Sequence, residues 1–163
     1  MDTLRFFKES LVDFRNTGSL LPSSRRLAKR LTRPLTARSD MIVVELGAGT
    51  GTVTRFLAET LPIDTKIVSL EINPVLAERL RRSFKDKRIE IVEGDAMDLS
   101  EHLSKLKIHK VDYIVSGLPL GNFNKNTRRA VYDAIYANLK PEGLYMQFQY
   151  LMASFIEIRK QFF

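Results

Sequence analysis

One stretch constrains this chain more than any other: Val43-Val44-Glu45-Leu46-Gly47-Ala48-Gly49-Thr50-Gly51. An apolar run closes on an acid and a leucine, and three glycines then alternate with small residues. This is the pattern of a buried strand that stops in a tight turn and opens a helix. Glycines in such a turn let a ligand approach the backbone with no Cβ in the way. Glu71 stands twenty positions after Gly51, at the end of a second apolar run, Ile67-Val68-Ser69-Leu70. An acid at that place accepts hydrogen bonds from ribose hydroxyls. The two features together read as a site for a nucleoside-bearing ligand.

The rest of the chain alternates strand and helix patterns. Strands are expected at Met41–Leu46, Lys66–Glu71, Ile89–Glu93, Val111–Ser116 and Leu144–Tyr150. Helices are expected at Thr52–Thr60, from Asn73-Pro74 to about Phe84, at about 99–106 and at Asn126–Leu139. In the last of these Ala130, Ile135 and Leu139 face inward, and Pro141-Glu142-Gly143 makes the turn that follows. Alternation of this kind predicts an α/β fold, a parallel sheet covered by helices on both faces. Ligands of such sheets bind at the carboxyl ends of the strands. The candidate residues collect there: Glu45–Gly51, Glu71, Asp95, Ser116–Pro119 and Gln149-Tyr150.

Charge is unevenly spread. Residues 1–38 carry nine Lys/Arg against three acids, so they hold +6 of the chain's +7. Within them, residues 2–15 read as an amphipathic helix with Leu4, Phe7, Leu11 and Phe14 on one stripe, and Arg25–Leu35 as a second helix. A basic face on a nearly neutral body points to an anionic partner, a membrane surface or a nucleic acid. The plainer alternative is a solvated face that only aids solubility. There is no cysteine, which excludes a disulfide framework, thiolate chemistry and a zinc–cysteine site. No apolar run approaches the roughly 18 residues of a membrane span. Arg5, Lys8 and Glu9 interrupt any N-terminal signal core. Residues His102 and His109 read as surface residues, and no spacing of His, Asp and Glu suggests a metal.

Taken singly the motifs are weak. Glycine turns also occur for structural reasons, Glu71 would suit any helix start, and Asp95 is a ready turn former. Taken together they form three polar stations on one ledge: Glu45 before the glycines, Glu71 ending strand two, and Gly94-Asp95-Ala96 after strand three. These stations suit a sulfonium-bearing methionine end, a ribose and an adenine amino group. The combination favours S-adenosylmethionine over a nicotinamide cofactor, whose G-x-G-x-x-G spacing the third glycine misses by one residue. It also favours a working site over a non-catalytic relic of one.

The chain resembles the class I methyltransferases, and within them the small bacterial phospholipid N-methyltransferases. The residues that carry this resemblance are Leu21-Pro22-Ser23-Ser24-Arg25, the glycine motif Val44–Gly51, Gly94-Asp95-Ala96, Val115-Ser116-Gly117-Leu118-Pro119-Leu120, Asn122-Phe123 and Gln147-Phe148-Gln149-Tyr150. The ornithine-lipid N-methyltransferases look similar and are not separable on these tokens. The resemblance implies a Rossmann-like sheet in residues 17–163, preceded by an amphipathic N-terminal helix over residues 1–16. The C-terminal strand hairpin of that fold is expected to be missing, with an apolar helix closing the chain. Cofactor binding is expected at Glu45, Gly47, Ala48, Gly49, Gly51, Glu71, Ile72, Asp95, Ala96 and Ser116. The transfer site is expected at Ser116, Gly117, Leu118 and Tyr150, and the lipid at Arg25, Leu120, Phe123 and Tyr150. The implied reaction is N-methylation of a headgroup amine such as that of phosphatidylethanolamine. The enzyme is then expected in the cytoplasm, peripheral at the inner face of an anionic membrane. The ribosomal RNA adenine dimethyltransferases share the layout, but their strand four ends in Asn-Leu-Pro-Tyr. Their Asn accepts from the adenine amine and their ring stacks on the base. Here Ser116 and Leu120 supply neither group, which argues against a base as substrate.

Overall fold

The computed structural model describes residues 39–147. Five strands form one parallel sheet: β1 (Ile42–Leu46), β2 (Lys66–Glu71), β3 (Ile89–Glu93), β4 (Val111–Ser116) and β5 (Leu139–Gln147). Their order is β3-β2-β1-β4-β5. The crossovers among the described residues are α1 (Thr52–Thr60), α2 (Pro74–Ser83), α3 (Leu99–Lys105) and α4 (Lys125–Asn138).

The central strands are apolar on both faces because helices cover both. Successive side chains point to opposite sides. Val44, Leu46, Val68, Leu70 and Ile114 therefore pack with Leu99 and Leu103 of α3 and Val131 and Ile135 of α4. Val43, Ile67, Tyr113 and Val115 meet Leu57 of α1 and Leu61 beyond it. Ala77 and Leu80 of α2 cover Ile91 on β3. Helix α2 starts where the sequence dictates: Pro74 fits the first turn, and the Asn73 carboxamide oxygen accepts from Val75 N and Leu76 N. Asn124 caps α4 in the same way through Thr127 N.

The far end of the sheet is tied down by two side chains. The Arg88 guanidinium donates to Ala58 O and Pro62 O at the end of α1 and pairs with Asp86 at 2.7 Å. Buried Asp112 accepts from Ile42 N at 3.0 Å and from Lys140 Nζ at 2.8 Å, so it links β1, β4 and the start of β5.

The patterns placed β2, β3, β4 and α1 at the bounds they have in the fold, and β1 begins one residue late. Two expectations need correction. Helix α4 runs Lys125–Asn138, and Leu139 already belongs to β5. Its buried face is Val131, Tyr132, Ala134, Ile135 and Asn138, with Ala130 only partly covered. Strand β5 begins at Leu139 instead of Leu144: Val111 pairs with Leu139 and Tyr113 with Leu144, so Pro141-Glu142-Gly143 bulges from the strand within its span. The helix expected at 2–15, the one at Arg25–Leu35, the C-terminal helix, Arg25, Gln149 and Tyr150 lie outside the described residues.

Strand order reverses between β1 and β4. The two are neighbours, yet their crossovers leave to opposite sides of the sheet. A crevice opens at such a switch point, beyond the carboxyl ends of the strands. The glycine turn leaves β1 there, and Ser116–Leu120 leaves β4 beside it.

Candidate active site

The glycine turn is held from β2. Gly47 N and Ala48 N both donate to Leu70 O, each at 2.9 Å. Gly49 N donates to Glu71 Oε2 at 2.7 Å, and Gly51 N closes the turn on Ala48 O. All three glycines have positive φ, the left-handed region open to glycine at little cost. Close approach adds a second demand at Gly47: a Cβ there would lie 2.9 Å from Leu118 Cδ2, so that side chain would have to give way.

Two acids flank the turn and behave differently. Glu45 is 2% exposed and sits on the α1 face of β1. Its Oε2 accepts from Thr54 Oγ1 at 2.6 Å and Ser69 Oγ at 2.7 Å. Burial raises its pKa above the ordinary value, with the nearby Glu71 carboxylate pushing the same way against those hydrogen bonds. The carboxyl thus lies between β1, β2 and α1, held by those two hydroxyls, and is not among the residues that line the crevice. Glu71 is also buried, and Oε1 accepts from Asn73 N at 2.9 Å while Oε2 takes the Gly49 amide. It therefore binds the glycine turn to the start of α2. A carboxylate offers about four acceptor directions, so capacity remains for a ribose diol.

Asp95 caps a single 3-10 turn over Ala96–Asp98 by accepting from Met97 N at 2.9 Å. The turn-former role is the one seen here, and the cap holds Asp95 and buried Ala96 at the rim. The crevice, about 390 Å³ counting the solvent it opens to, is lined by Gly47, Leu70, Ile72, Asp95, Ala96 and Leu118, and on toward Phe123, Thr127 and Val131. Gly47, Ile72, Asp95, Ala96 and Leu118 thus come together as the sequence reading expected. Gly94 also lines the crevice, pressed by His102, whose Nε2 would lie 2.1 Å from a Cβ at Gly94. That corrects the surface reading of His102, which is half-buried, its Nε2 without a hydrogen-bond partner among the described residues. Exposed His109 is where it was expected.

The loop after β4 differs from expectation in one respect. Leu120 is 1% exposed and packs in the core under the loop, so its side chain supports the loop from beneath instead of meeting the surface. Phe123 is half-buried and does line the crevice. Ser116 is fully buried, and its Oγ accepts from Leu118 N at 3.3 Å. Gly117 is exposed, and its N donates to Leu46 O at 2.8 Å, extending the β1–β4 ladder by one bond.

Three residues that the sequence reading gave no role stand at this site. Thr127 lines the crevice from α4. Gln147 donates from Nε2 to Leu118 O at 2.8 Å, and Tyr145 donates its hydroxyl to Gln147 Oε1. The token Gln147-Phe148-Gln149-Tyr150 pointed to the strand, but its period could not show that Gln147 pairs in register with Ser116.

The residues fit S-adenosylmethionine on structural grounds. Gly47 lies close against Leu118 at the crevice, the glycine turn is tied to buried Glu71, and the half-apolar rim at Ile72, Asp95 and Ala96 suits an adenine, while neither Glu45 nor Glu71 is among the lining residues.

Comparison with known proteins agrees. A family model described as a methyltransferase domain matches residues 43–143. An ornithine lipid N-methyltransferase of Singulisphaera acidiphila is 35% identical over 144 residues, spanning 88% of this chain and 73% of that protein. A ribosomal RNA small subunit methyltransferase A of Thermotoga neapolitana is 36% identical over 72 residues, spanning 42% of this chain and only 26% of that protein. Among solved structures, a 1,6-didemethyltoxoflavin-N1-methyltransferase of Burkholderia thailandensis with bound S-adenosylhomocysteine superposes with a TM-score of 0.64 at 18% identity. That match covers 88% of this chain and 59% of the other. Glycine turn, flanking acids, strand order and matched family model lead to one assignment: the chain belongs to the methyltransferase-domain family, as an S-adenosylmethionine-dependent methyltransferase of the class I fold.

Proposed function

We propose that this protein methylates the amine of a lipid headgroup, phosphatidylethanolamine or an ornithine lipid, at an anionic membrane surface. The observation that carries the reading is the loop after β4. It offers an exposed backbone at Gly117 and an apolar wall at Leu118, with neither a carboxamide at Ser116 nor a ring at Leu120. An adenine amine needs both of those groups, whereas a flexible aliphatic amine needs only an acceptor and a short path. The similarity to an ornithine lipid N-methyltransferase over most of the chain supports the same class.

S-adenosylmethionine supplies an electrophilic methyl group when bound. The protein's own part is placement. The Gly117 carbonyl accepts an N–H of the amine, and Leu118 and Phe123 exclude water beside it. An alkylammonium has a pKa of about 10, by analogy with lysine, and must shed its proton before it reacts. Among the described residues lining the crevice Asp95 alone is ionisable, and its Oδ1 is engaged by Met97 N. Water or the lipid's own anion is therefore the proton acceptor in this reading. The basic residues of 1–16, with Arg5, Lys8 and Arg15, would dock the enzyme on the inner face of the membrane. Arg25 and Tyr150 would meet the headgroup anion. No helix of the described residues is long and apolar enough to cross a membrane.

The deciding assay offers methyl-labelled S-adenosylmethionine with anionic liposomes containing phosphatidylethanolamine or ornithine lipid, beside ribosomal RNA. Label in the lipid extract and background in RNA is the expected result. Label in RNA with none in lipid overturns the proposal in favour of a base-modifying enzyme.

A further inference from the structure

We infer that Gln147, acting with Tyr145, is a positioning residue that locks the Leu118 peptide and so decides which backbone carbonyl receives the substrate amine; this rests on the substrate reading above. The Leu118 carbonyl accepts from Leu120 N at 2.8 Å and from Gln147 Nε2 at 2.8 Å. A carbonyl oxygen has two lone pairs, so both are taken. The other side of the same residue is held as well, because Leu118 N donates to Ser116 Oγ. The Tyr145 hydroxyl donates to Gln147 Oε1 and so holds the carboxamide whose NH₂ reaches Leu118. The result is one hydrogen-bonded circuit: Tyr145 to Gln147, Gln147 to the Leu118 carbonyl, and the Leu118 amide to Ser116.

Chemistry fixes the direction of this circuit. A carbonyl only accepts, so the Gln147 group facing Leu118 is the NH₂ and the group facing Tyr145 is the oxygen. Tyr145 stays a donor, since burial raises its pKa above the ordinary value. Its ring is set edge-on to Tyr132 of α4, with centroids 6.3 Å apart. The circuit spans β4, β5 and the loop, with Ser116 and Gln147 in direct register.

Two consequences reach the site. The locked peptide holds the Leu118 side chain against Gly47, the wall between loop and glycine turn. With Leu118 filled, the exposed Gly117 carbonyl, which takes no hydrogen bond from a described residue, is the acceptor left for the amine.

The test compares wild type with Gln147→Leu, Gln147→Glu and Tyr145→Phe in the full chain. Three quantities are read: hydrogen exchange of the segment 116–120, cofactor affinity by calorimetry, and turnover on whichever acceptor takes the label. Gln147→Leu should speed exchange in that segment and lower kcat ten- to a hundredfold, the scale of a misplacement of about 1 Å. Cofactor affinity should stay within about twofold. Tyr145→Phe should fall between that variant and wild type. Gln147→Glu carries the sharpest readout. Its protonated form donates to Leu118 O as the amide does, and its ionised form repels that oxygen. Its turnover relative to wild type should rise as pH falls toward the carboxyl range, near 4–6. Unchanged exchange in Gln147→Leu overturns the lock whatever the substrate is. Cofactor affinity falling in step with turnover, or a Gln147→Glu to wild-type ratio constant with pH, overturns the positioning role. Wild-type protein that labels RNA but no lipid overturns the substrate reading instead, and exchange and turnover on RNA still decide the lock.

Discussion

Replacing Glu45 by Gln isolates the electrostatic cost that this fold carries beneath its glycine turn. The carboxyl is 2% exposed, its Oε2 accepts from the neutral hydroxyls of Thr54 and Ser69, and its pKa is raised from 4.5, chiefly by burial. An acid with a raised folded-state pKa binds its proton more tightly folded than unfolded. Its contribution to stability is therefore full below the unfolded value of about 4.5 and is lost as pH rises through the folded value. The slope is at most about 1.4 kcal/mol per pH unit for one proton, and the total is that slope times the pKa gap. The carboxamide introduced by Glu45→Gln does not titrate, although its NH₂ meets a site built for acceptors, so the variant begins at low pH with an offset. The stability of Glu45→Gln minus that of wild type should increase from pH 4 upward and level off above the folded pKa. Urea unfolding of both proteins at pH steps between about 4 and 8 measures it. A difference that is flat with pH, or one in which wild type gains on the variant as pH rises, would refute the claim that burial dominates at this carboxyl.

Three further outcomes are expected. Gly51→Ala should destabilise the fold by about 2–5 kcal/mol in urea unfolding, because φ is +81° and the new Cβ would stand 2.6 Å from both Leu80 and Phe84. Glu71→Ala should weaken cofactor affinity by about 1–3 kcal/mol in calorimetry, since it removes a ribose acceptor and frees the Gly49 and Asn73 amides that carboxylate now holds. Deletion of residues 1–15 should release the protein from anionic liposomes in sedimentation while leaving cofactor binding mostly intact.

Much of this architecture was legible because its signals are local. The glycine turn, the apolar runs of β1, β2 and β4, and the Asn73-Pro74 helix start each lie within a few residues. The start of β5 was hidden because Pro141-Glu142-Gly143 looks like a turn between elements, and only pairing with β4 shows that the chain resumes the same strand. Helix α4 slipped by one residue because Leu139 continues its apolar stripe while its backbone has already become extended. His102 was misread because a polar residue on a short helix gives no sign that a glycine eight positions earlier makes room for it. The circuit through Ser116, Tyr145 and Gln147 was out of reach for a different reason. Its two halves, Ser116–Leu118 and Tyr145–Gln147, are about thirty residues apart in sequence and meet only through sheet register. The glycines announced a cofactor from sequence alone, whereas the proposed lipid substrate drew on resemblance as well.

The attachment of the glycine turn to β2 carries a lesson about portability. Gly47 and Ala48 hang from the Leu70 carbonyl, and Gly49 hangs from the Glu71 side chain. The residues that shape the turn thus come from the strand next door, and the motif is half of a two-part fitting whose other half is the last two residues of β2. Transplanted behind some other strand, Gly47–Gly51 would keep its letters and lose its geometry. Conversely, a designer who kept Leu70 and Glu71 in register with Leu46 would have latitude at Thr50, which is exposed. The unit that moves intact between proteins of this kind is a pair of neighbouring strand ends, and a search for it should look for the pair.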